Sequence, residues 1–359
     1  MIAKFLIWLT LILAVFGLVM ISSAGVYLSQ KNFGVDYYYF NHQLLFGFLP
    51  GLILFLIASK IDYRKWRKFS FVLILLSLGL LVLIFIPGFG ITVSGAKRWV
   101  NFFNLFSFQP AEILKLTLII YLAGWLQQFG KNNAGSVAAF LIILFFMGIF
   151  IAAQPDIGTL GIIISIALLM LFTAGGKFKQ ILWIIILAAV SFSLLTVFSD
   201  YRLDRFLVFI NPNFDVQDKG YHLNQSLITI GKGGLLGVGF GKGEQKLGFL
   251  PEPVGDSIFA VIGEELGFIG MLFIIGLFFL FIFLSLFIAK KTNDKFASLY
   301  AIGLASWIGV QSFVNIASLT GIVPLTGVPL PFISYGGTSL AVLMAGVGIL
   351  VNIAKKTKV

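Results

Sequence analysis

Cysteine is absent from the chain, and histidine occurs only twice, at His42 and His222. The first absence removes disulfides, thiolate nucleophiles and cysteine-based metal centres. With histidine so scarce, acid–base chemistry falls mainly on carboxylates. Charge is also sparse: Lys, Arg, Asp and Glu make up 11% of the 359 residues, against 59% apolar residues. A mean hydropathy of +1.03 excludes water as the main solvent of the chain. Neither an internal repeat nor a low-complexity tract is visible, so the pattern of an inverted-repeat transporter is missing too. The first apolar stretch is too long for a signal-peptide core and lacks a small-residue cleavage pattern after it, which reads as a retained first span.

What is present is apolar length. A hydrocarbon core of about 30 Å takes about 20 helical residues per crossing, leaving room for about ten crossings and little else. Apolar runs fall near residues 5–28, 43–59, 69–87, 111–129, 136–153, 157–174, 181–198, 257–289, 298–319 and 338–354. The expected fold is an all-α polytopic membrane protein of about ten transmembrane helices. It forms a single domain over residues 1–359, with one long extracytoplasmic loop, residues 199–256, between spans seven and eight.

Basic residues orient this bundle. With both termini in the cytoplasm, fifteen of the 25 Lys and Arg residues fall on inner segments, among them Lys60, Arg64, Arg67, Lys290, Lys291, Lys355 and Lys356. Short outer loops keep only Lys31, Lys97 and Arg98, as the positive-inside rule requires. The net charge of +11 then faces anionic lipid headgroups, and no soluble basic face is left for nucleic acid. Of fourteen acidic residues only Asp62 and Asp294 fall on inner loops, so carboxylate chemistry is expected outside. The 199–256 loop, which carries Asp200, Asp204, Asp215, Asp218, Glu244, Glu252 and Asp256, is the natural place for it.

Several segments are candidates for chemistry. In Leu250-Pro251-Glu252-Pro253-Val254-Gly255-Asp256-Ser257 a rigid loop delivers Asp256 to the outer start of a helix, where it is either a ready proton acceptor or, with Ser257, a helix cap. Glu112 and Lys115 stand one turn apart within a span, as a functional pair or a structural brace. Asp156 sits at a tight outer turn, again as a site residue or an N-cap. Glu264 and Glu265 lie two turns into the eighth span. The glycine-rich stretch 231–243 fails the phosphate-loop spacing, with Leu236 and Gly243 at the wrong positions, and fits close backbone approach, anion binding or a flexible loop. The apolar segment 324–338 holds three prolines and three glycines, so it cannot be regular helix. Irregular backbone at membrane depth lines a cavity or is buried in protein, unless the segment is a plain interfacial turn.

Together these segments resemble the SEDS family (shape, elongation, division and sporulation), which includes FtsW, RodA and SpoVE, over nearly the whole chain. The resemblance rests first on Gly327-Val328-Pro329-Leu330-Pro331-Phe332-Ile333-Ser334-Tyr335-Gly336-Gly337-Thr338-Ser339. Gly95-Ala96-Lys97-Arg98-Trp99, Phe108-Gln109-Pro110-Ala111-Glu112-Ile113-Leu114-Lys115, Gly220-Tyr221-His222 with Gln225-Ser226, and Leu250-Pro251-Glu252 with Asp256 add to it. Gln245-Lys246 and Gly17-Leu18-Val19-Met20 are more similar to FtsW than to RodA. The chain departs from many members around the aspartate, where Val254-Gly255 stand in place of His-Thr and Ser257 in place of Phe.

The resemblance implies a peptidoglycan glycosyltransferase that polymerises lipid II at the outer face of the cytoplasmic membrane. Asp256 matches the catalytic aspartate, which implies a general base acting on a sugar hydroxyl while polyprenyl diphosphate departs. Inversion in one displacement needs one base and no covalent nucleophile. Candidate substrate-binding residues are Lys97, Arg98, Glu112, Lys115, Asp156, Arg202, Arg205, Ser334 and Tyr335, with the basic members offsetting diphosphate charge. No cofactor is required by these parts. A divalent cation held by Asp256 or Glu252 is compatible with them, although no metal site is established. The resemblance also implies a class B penicillin-binding protein transpeptidase as partner, alongside other elongation or division proteins. A lipid II flippase and a scaffold of a cell-wall synthesis complex are the competing readings.

Overall fold

The computed structural model describes residues 1–93, 96–102, 106–128, 133–197, 200–211 and 215–357. Gly95 of the Gly95–Trp99 motif lies outside them. All ten apolar runs are helical: α1 (Ile2–Ala24), α3 with α4 (Tyr38–Gln43 and Leu49–Lys60), α5 (Tyr63–Leu83), α6 (Pro110–Leu126), α7 (Asn133–Ala153), α8 (Ile157–Thr173), α9 (Phe178–Val197), α12 (Ile258–Lys291), α13 (Lys295–Leu319) and α14 (Gly337–Lys356). Among the described residues, α1, Tyr38–Lys60, α5, α12, α13 and α14 are long and apolar enough to cross a membrane, and Phe140–Ala153, Ile157–Thr173 and Phe178–Ser193 are further apolar helices. The protein is a helical, multi-pass membrane protein. Its apolar character extends to the outside, since α12 exposes Phe268, Ile269, Leu272, Phe273, Phe279 and Phe283, as expected of a helix facing lipid.

Local chemistry sets the helix ends. Asp62, Asp156 and Asp294 cap α5, α8 and α13 by accepting backbone N–H bonds from Arg64, Thr159 and Phe296, filling donors that a helix start leaves open. Between α3 and α4 the helix widens into a π turn, Leu44–Phe48. Pro50 cannot donate to the Phe46 carbonyl four residues back, and α14 approaches there: a Cβ on Gly337 would come within 2.7 Å of the Phe46 oxygen. Farther along the same pair, Gly348 meets the Phe55 carbonyl. These small residues let the two backbones touch, the usual way helices pack in lipid.

A small sheet and three short helices go beyond the expected set of spans. A three-stranded antiparallel sheet, β1 (Gly90–Val93), β2 (Ala96–Phe102) and β3 (Phe106–Phe108), connects α5 to α6 with Ile91 opposite Trp99 and Val100 opposite Phe108. The 199–256 segment contains two helices, α10 (Asp200–Ile210) and α11 (Tyr221–Gly233), and a short helix α2 (Val26–Phe33) follows α1.

At 34 residues, α12 runs about 51 Å, well beyond the hydrocarbon thickness, and it breaks at Gly267 (φ 67°, ψ −168°). The glycine-rich stretch fills the break. Val238 and Gly239 donate to the Glu264 and Glu265 carbonyls, and Phe268 and Ile269 donate to those of Gly234 and Leu235. Cβ atoms on Gly233 or Gly237 would fall 1.8 and 2.2 Å from carbonyl oxygens of Gly263 and Glu265. Close backbone approach is therefore the reason for these glycines.

Candidate active site

The Leu250–Ser257 loop closes on itself through the Glu252 carbonyl, which accepts from Gly255 and Ser257. Glu252 has a left-handed backbone, φ 47°, a strained conformation for a non-glycine residue. Ser257 occupies the N-cap position of α12 but makes no capping bond with its side chain. Its hydroxyl lies 2.7 Å from Nε2 of His222 on α11, so the serine ties two helices together. Asp256 precedes it, and its Oδ1 is buried with no hydrogen-bond partner among the described residues.

The second wall is the 324–336 segment. Three prolines remove backbone donors, and its carbonyls are served by side chains instead. Arg205 on α10 donates to Leu325 O (2.8 Å), Asn315 to Val328 O (2.8 Å) and Gln311 to Pro329 O (2.9 Å). Ser334 folds back to accept from Leu330 N at 2.7 Å. Phe332 is left-handed at φ 63°, and Gly17 of α1 leaves room for its carbonyl. Val328, Leu330, Phe332 and Ile333 are buried, which answers the demand that irregular backbone at this depth be enclosed. The two walls meet where a Cβ on Gly327 would lie 3.5 Å from Asp256 Oδ2 and 3.9 Å from Arg205 Nη1. Tyr335 N donates to Val254 O (2.8 Å) and closes the other end.

Beside Gly327 lies a cavity of about 280 Å³ lined by Arg98, Arg205, Pro155, Phe206, Leu325 and Thr326 among others. It shares Ile157, Gly161, Ser165 and Phe192 with an apolar groove of about 750 Å³ between α8, α9 and α13. Arg98 is held by the Pro155 and Gln154 carbonyls and lies 3.8 Å from Asp156. Asp156 thus serves as both N-cap and anchor for an arginine.

Burial raises the Asp256 carboxyl from 3.8 to about 6, against the opposing pull of Arg205 and nearby backbone N–H groups. Glu252 is also raised, by burial first and then by the Asp256 charge. His222 is lowered to about 4, chiefly by burial and secondly by Arg205, so its ring is neutral at physiological pH. A carboxylate with a free buried oxygen, next to a guanidinium and a cavity, can accept a proton from a ligand that also carries negative charge.

The predicted residues divide accordingly. Arg98 and Arg205 line the cavity, Asp256 lies behind Gly327 at its wall, and Asp156 reaches it through Arg98. Lys97, adjacent to Arg98 on β2 where the register with β1 shifts by one residue, is not among the residues that line the cavity, and its Cε packs over Gly90. Glu112 and Lys115 form a buried pair at 2.8 Å, with Lys115 also bonded to Gln311, and reach the cavity wall only through Gln311. Ser334 braces its own loop, and Tyr335 pairs with His42 at 2.9 Å on the far side. The Arg202 side chain lies outside the described residues. Gln311 and Asn315 went unremarked in the sequence, although polar amides within an apolar helix are themselves a signal. Among the described residues no group of three or more His, Asp or Glu could hold a metal ion.

Comparison with known proteins places this architecture. Residues 4–359 match the FtsW/RodA/SpoVE family of cell cycle proteins, and the chain belongs to that family. It is 37% identical to the probable peptidoglycan glycosyltransferase FtsW of Coxiella burnetii, over 97% of this chain and 95% of that protein. It is 36% identical to stage V sporulation protein E of Bacillus subtilis, over 98% and 97% respectively. The fold is shared with a chain of a peptidoglycan synthase complex, at TM-score 0.81, 24% identity and coverage of 98% and 97%. It is shared also with Thermus thermophilus RodA, at TM-score 0.72, 24% identity and coverage of 98% and 96%.

Proposed function

We propose that the protein is a peptidoglycan glycosyltransferase that joins lipid II units at the outer face of the cytoplasmic membrane, with Asp256 as general base. The observation that carries this reading is the arginine-lined cavity beside Asp256 opening into an apolar groove. A polar headgroup space continuous with a tail-sized channel suits a substrate that stays anchored in the bilayer. In the reaction, the 4-hydroxyl of one disaccharide attacks the anomeric carbon of another. The new C–O bond forms as the bond to polyprenyl diphosphate breaks, with inversion, and the hydroxyl proton passes to the Asp256 carboxylate. Arg98 and Arg205 offset the charge that develops on the diphosphate. Glu252 and Asp256 are the carboxylates that would hold a divalent ion if one assists, where it would neutralise the same charge.

The whole chain acts as one membrane domain, with both termini cytoplasmic and the 199–256 segment outside, in keeping with the distribution of basic residues. A class B penicillin-binding protein is the expected partner, because new glycan has to be crosslinked; co-purification from native membranes should recover such a transpeptidase. The catalytic reading is tested by giving lipid II in liposomes to wild type and Asp256→Ala and sizing the products. Long glycan from wild type alone is expected. Equal polymer from both removes Asp256 from the mechanism, and transbilayer movement of lipid II without polymer supports a transporter instead.

A further inference from the structure

Asn315 lies about one turn before the C-terminal end of α13 and is 1% exposed. Its Nδ2 donates to two backbone carbonyls, Asp256 O at 2.7 Å and Val328 O at 2.8 Å. These belong to the two walls of the site, one carrying the carboxylate and the other bordering the cavity. The amide orientation is fixed by chemistry, since turning it over would set Oδ1 against two carbonyl oxygens. Oδ1 itself is buried with no partner among the described residues, so the residue is held for its donors alone. One turn earlier, on the same face, Gln311 donates to Pro329 O and accepts from Lys115 and Trp307 at 2.8 and 2.7 Å. Val328 and Pro329 carbonyls cannot pair in a regular element, because the prolines around them break any helix or ladder. Two amides on a rigid helix replace that element. The next residue back, Gly327, is the point where Asp256 Oδ2 and Arg205 Nη1 converge. A shift of the loop therefore moves the carboxylate and the guanidinium relative to each other.

We propose that Asn315 is a positioning residue for glycosyl transfer: its amide clamps the Asp256 backbone to Val328 and so fixes the base against the cavity wall, with Gln311 bracing the next carbonyl. This rests on Asp256 being the base. Misplacing a reacting group by about 1 Å costs about 10²-fold in rate, and the clamp controls a displacement of that size.

The test uses full-length protein in liposomes with lipid II. Asn315→Leu keeps roughly the side-chain volume and removes both donors. Asn352→Leu is the matched control, because Asn352 is another buried amide with two backbone bonds, to Tyr63 N and Ser59 O, between α4, α5 and α14. Loss of the clamp should lower kcat per folded molecule about 10²-fold and leave KM within about threefold. It should also move the acid limb of the pH–rate profile down from about 6, because a released carboxylate regains solvent. Asn352→Leu should lower thermal stability with kcat and the pH limb unchanged. If Asn315→Leu behaves like Asn352→Leu, the clamp is only structural and the proposal falls. Asp256→Ala, run alongside, separates the two failures: polymer from it overturns the base assignment, whereas an inactive Asp256→Ala beside a fully active Asn315→Leu overturns only the clamp.

Discussion

Glu264 and Glu265, about two turns into α12, have carboxylates bonded to neighbouring elements, with Oε2 of Glu265 left over, whereas Asp256, two residues before the same helix, lies beside the arginine-lined cavity with Oδ1 buried and unpartnered among the described residues. Glu264 accepts backbone N–H bonds from Glu244 and Gln245, and Glu265 pairs with Lys246 at 2.5 Å and with Ser23 at 2.7 Å. There the glycine-rich loop, the broken helix and the end of α1 are locked by charges already in use. At Asp256 the neighbouring bonds hold only backbone: Asn315 its carbonyl, His222 the next serine. The contrast teaches that carboxylates bonded to a lysine or to backbone donors brace this fold, and that the one set beside the arginine-lined cavity is available to a ligand.

Five substitutions would break or sharpen that contrast. Asp256→Ala should cost the most, a loss of about 10²–10⁴-fold in polymerisation with the folded yield intact, read by product sizing and size-exclusion chromatography. Lys246→Ala should act on the other side, leaving Glu265 as an uncompensated buried charge at a cost of about 3–5 kcal/mol. It should appear in thermal melts and yield, with the surviving folded molecules close to wild-type turnover. Arg205→Ala should lower kcat/KM by about 10²-fold by removing charge stabilisation at the cavity, while Lys97→Ala, packed over Gly90 and absent from the cavity lining, should stay within about twofold of wild type. The last substitution concerns stability. Burial lifts Asp256 from 3.8 to about 6, so the folded state prefers the protonated form, and the resulting penalty is absent below pH 3.8 and complete above about 6. Asp256→Asn should therefore raise stability by about 2–3 kcal/mol at pH 8 and by almost nothing at pH 3.5, measured as the shift in Tm at each pH.

Much of this was legible in the sequence because lipid imposes simple rules. Ten apolar runs correspond to ten helices, and the prolines of 324–336 announce a segment that has to be enclosed. Asp256 was legible from its loop, and Arg98 from its sparse outer charge. The finer distinctions were not. Lys97 and Arg98 are neighbours of like charge, and only a sheet with a register shift at these residues, absent from the expected fold, sets Lys97 over Gly90 and Arg98 at the cavity. The break at Gly267 was hidden inside an unbroken apolar run, so the glycines at 233 and 237 had no visible object for their close approach. Asn315 and Gln311 were passed over although they are polar amides within a span, and their partners are carbonyls, which every residue possesses and no sequence pattern marks.

The account stands most directly on the pH dependence of lipid II polymerisation. It predicts a kcat/KM for wild type that falls on the acid side with a midpoint near pH 6, about two units above an ordinary aspartate, with that limb lost along with the activity in Asp256→Ala. A rate that holds constant down to pH 4.5, or an acid limb that survives in Asp256→Ala, would contradict it.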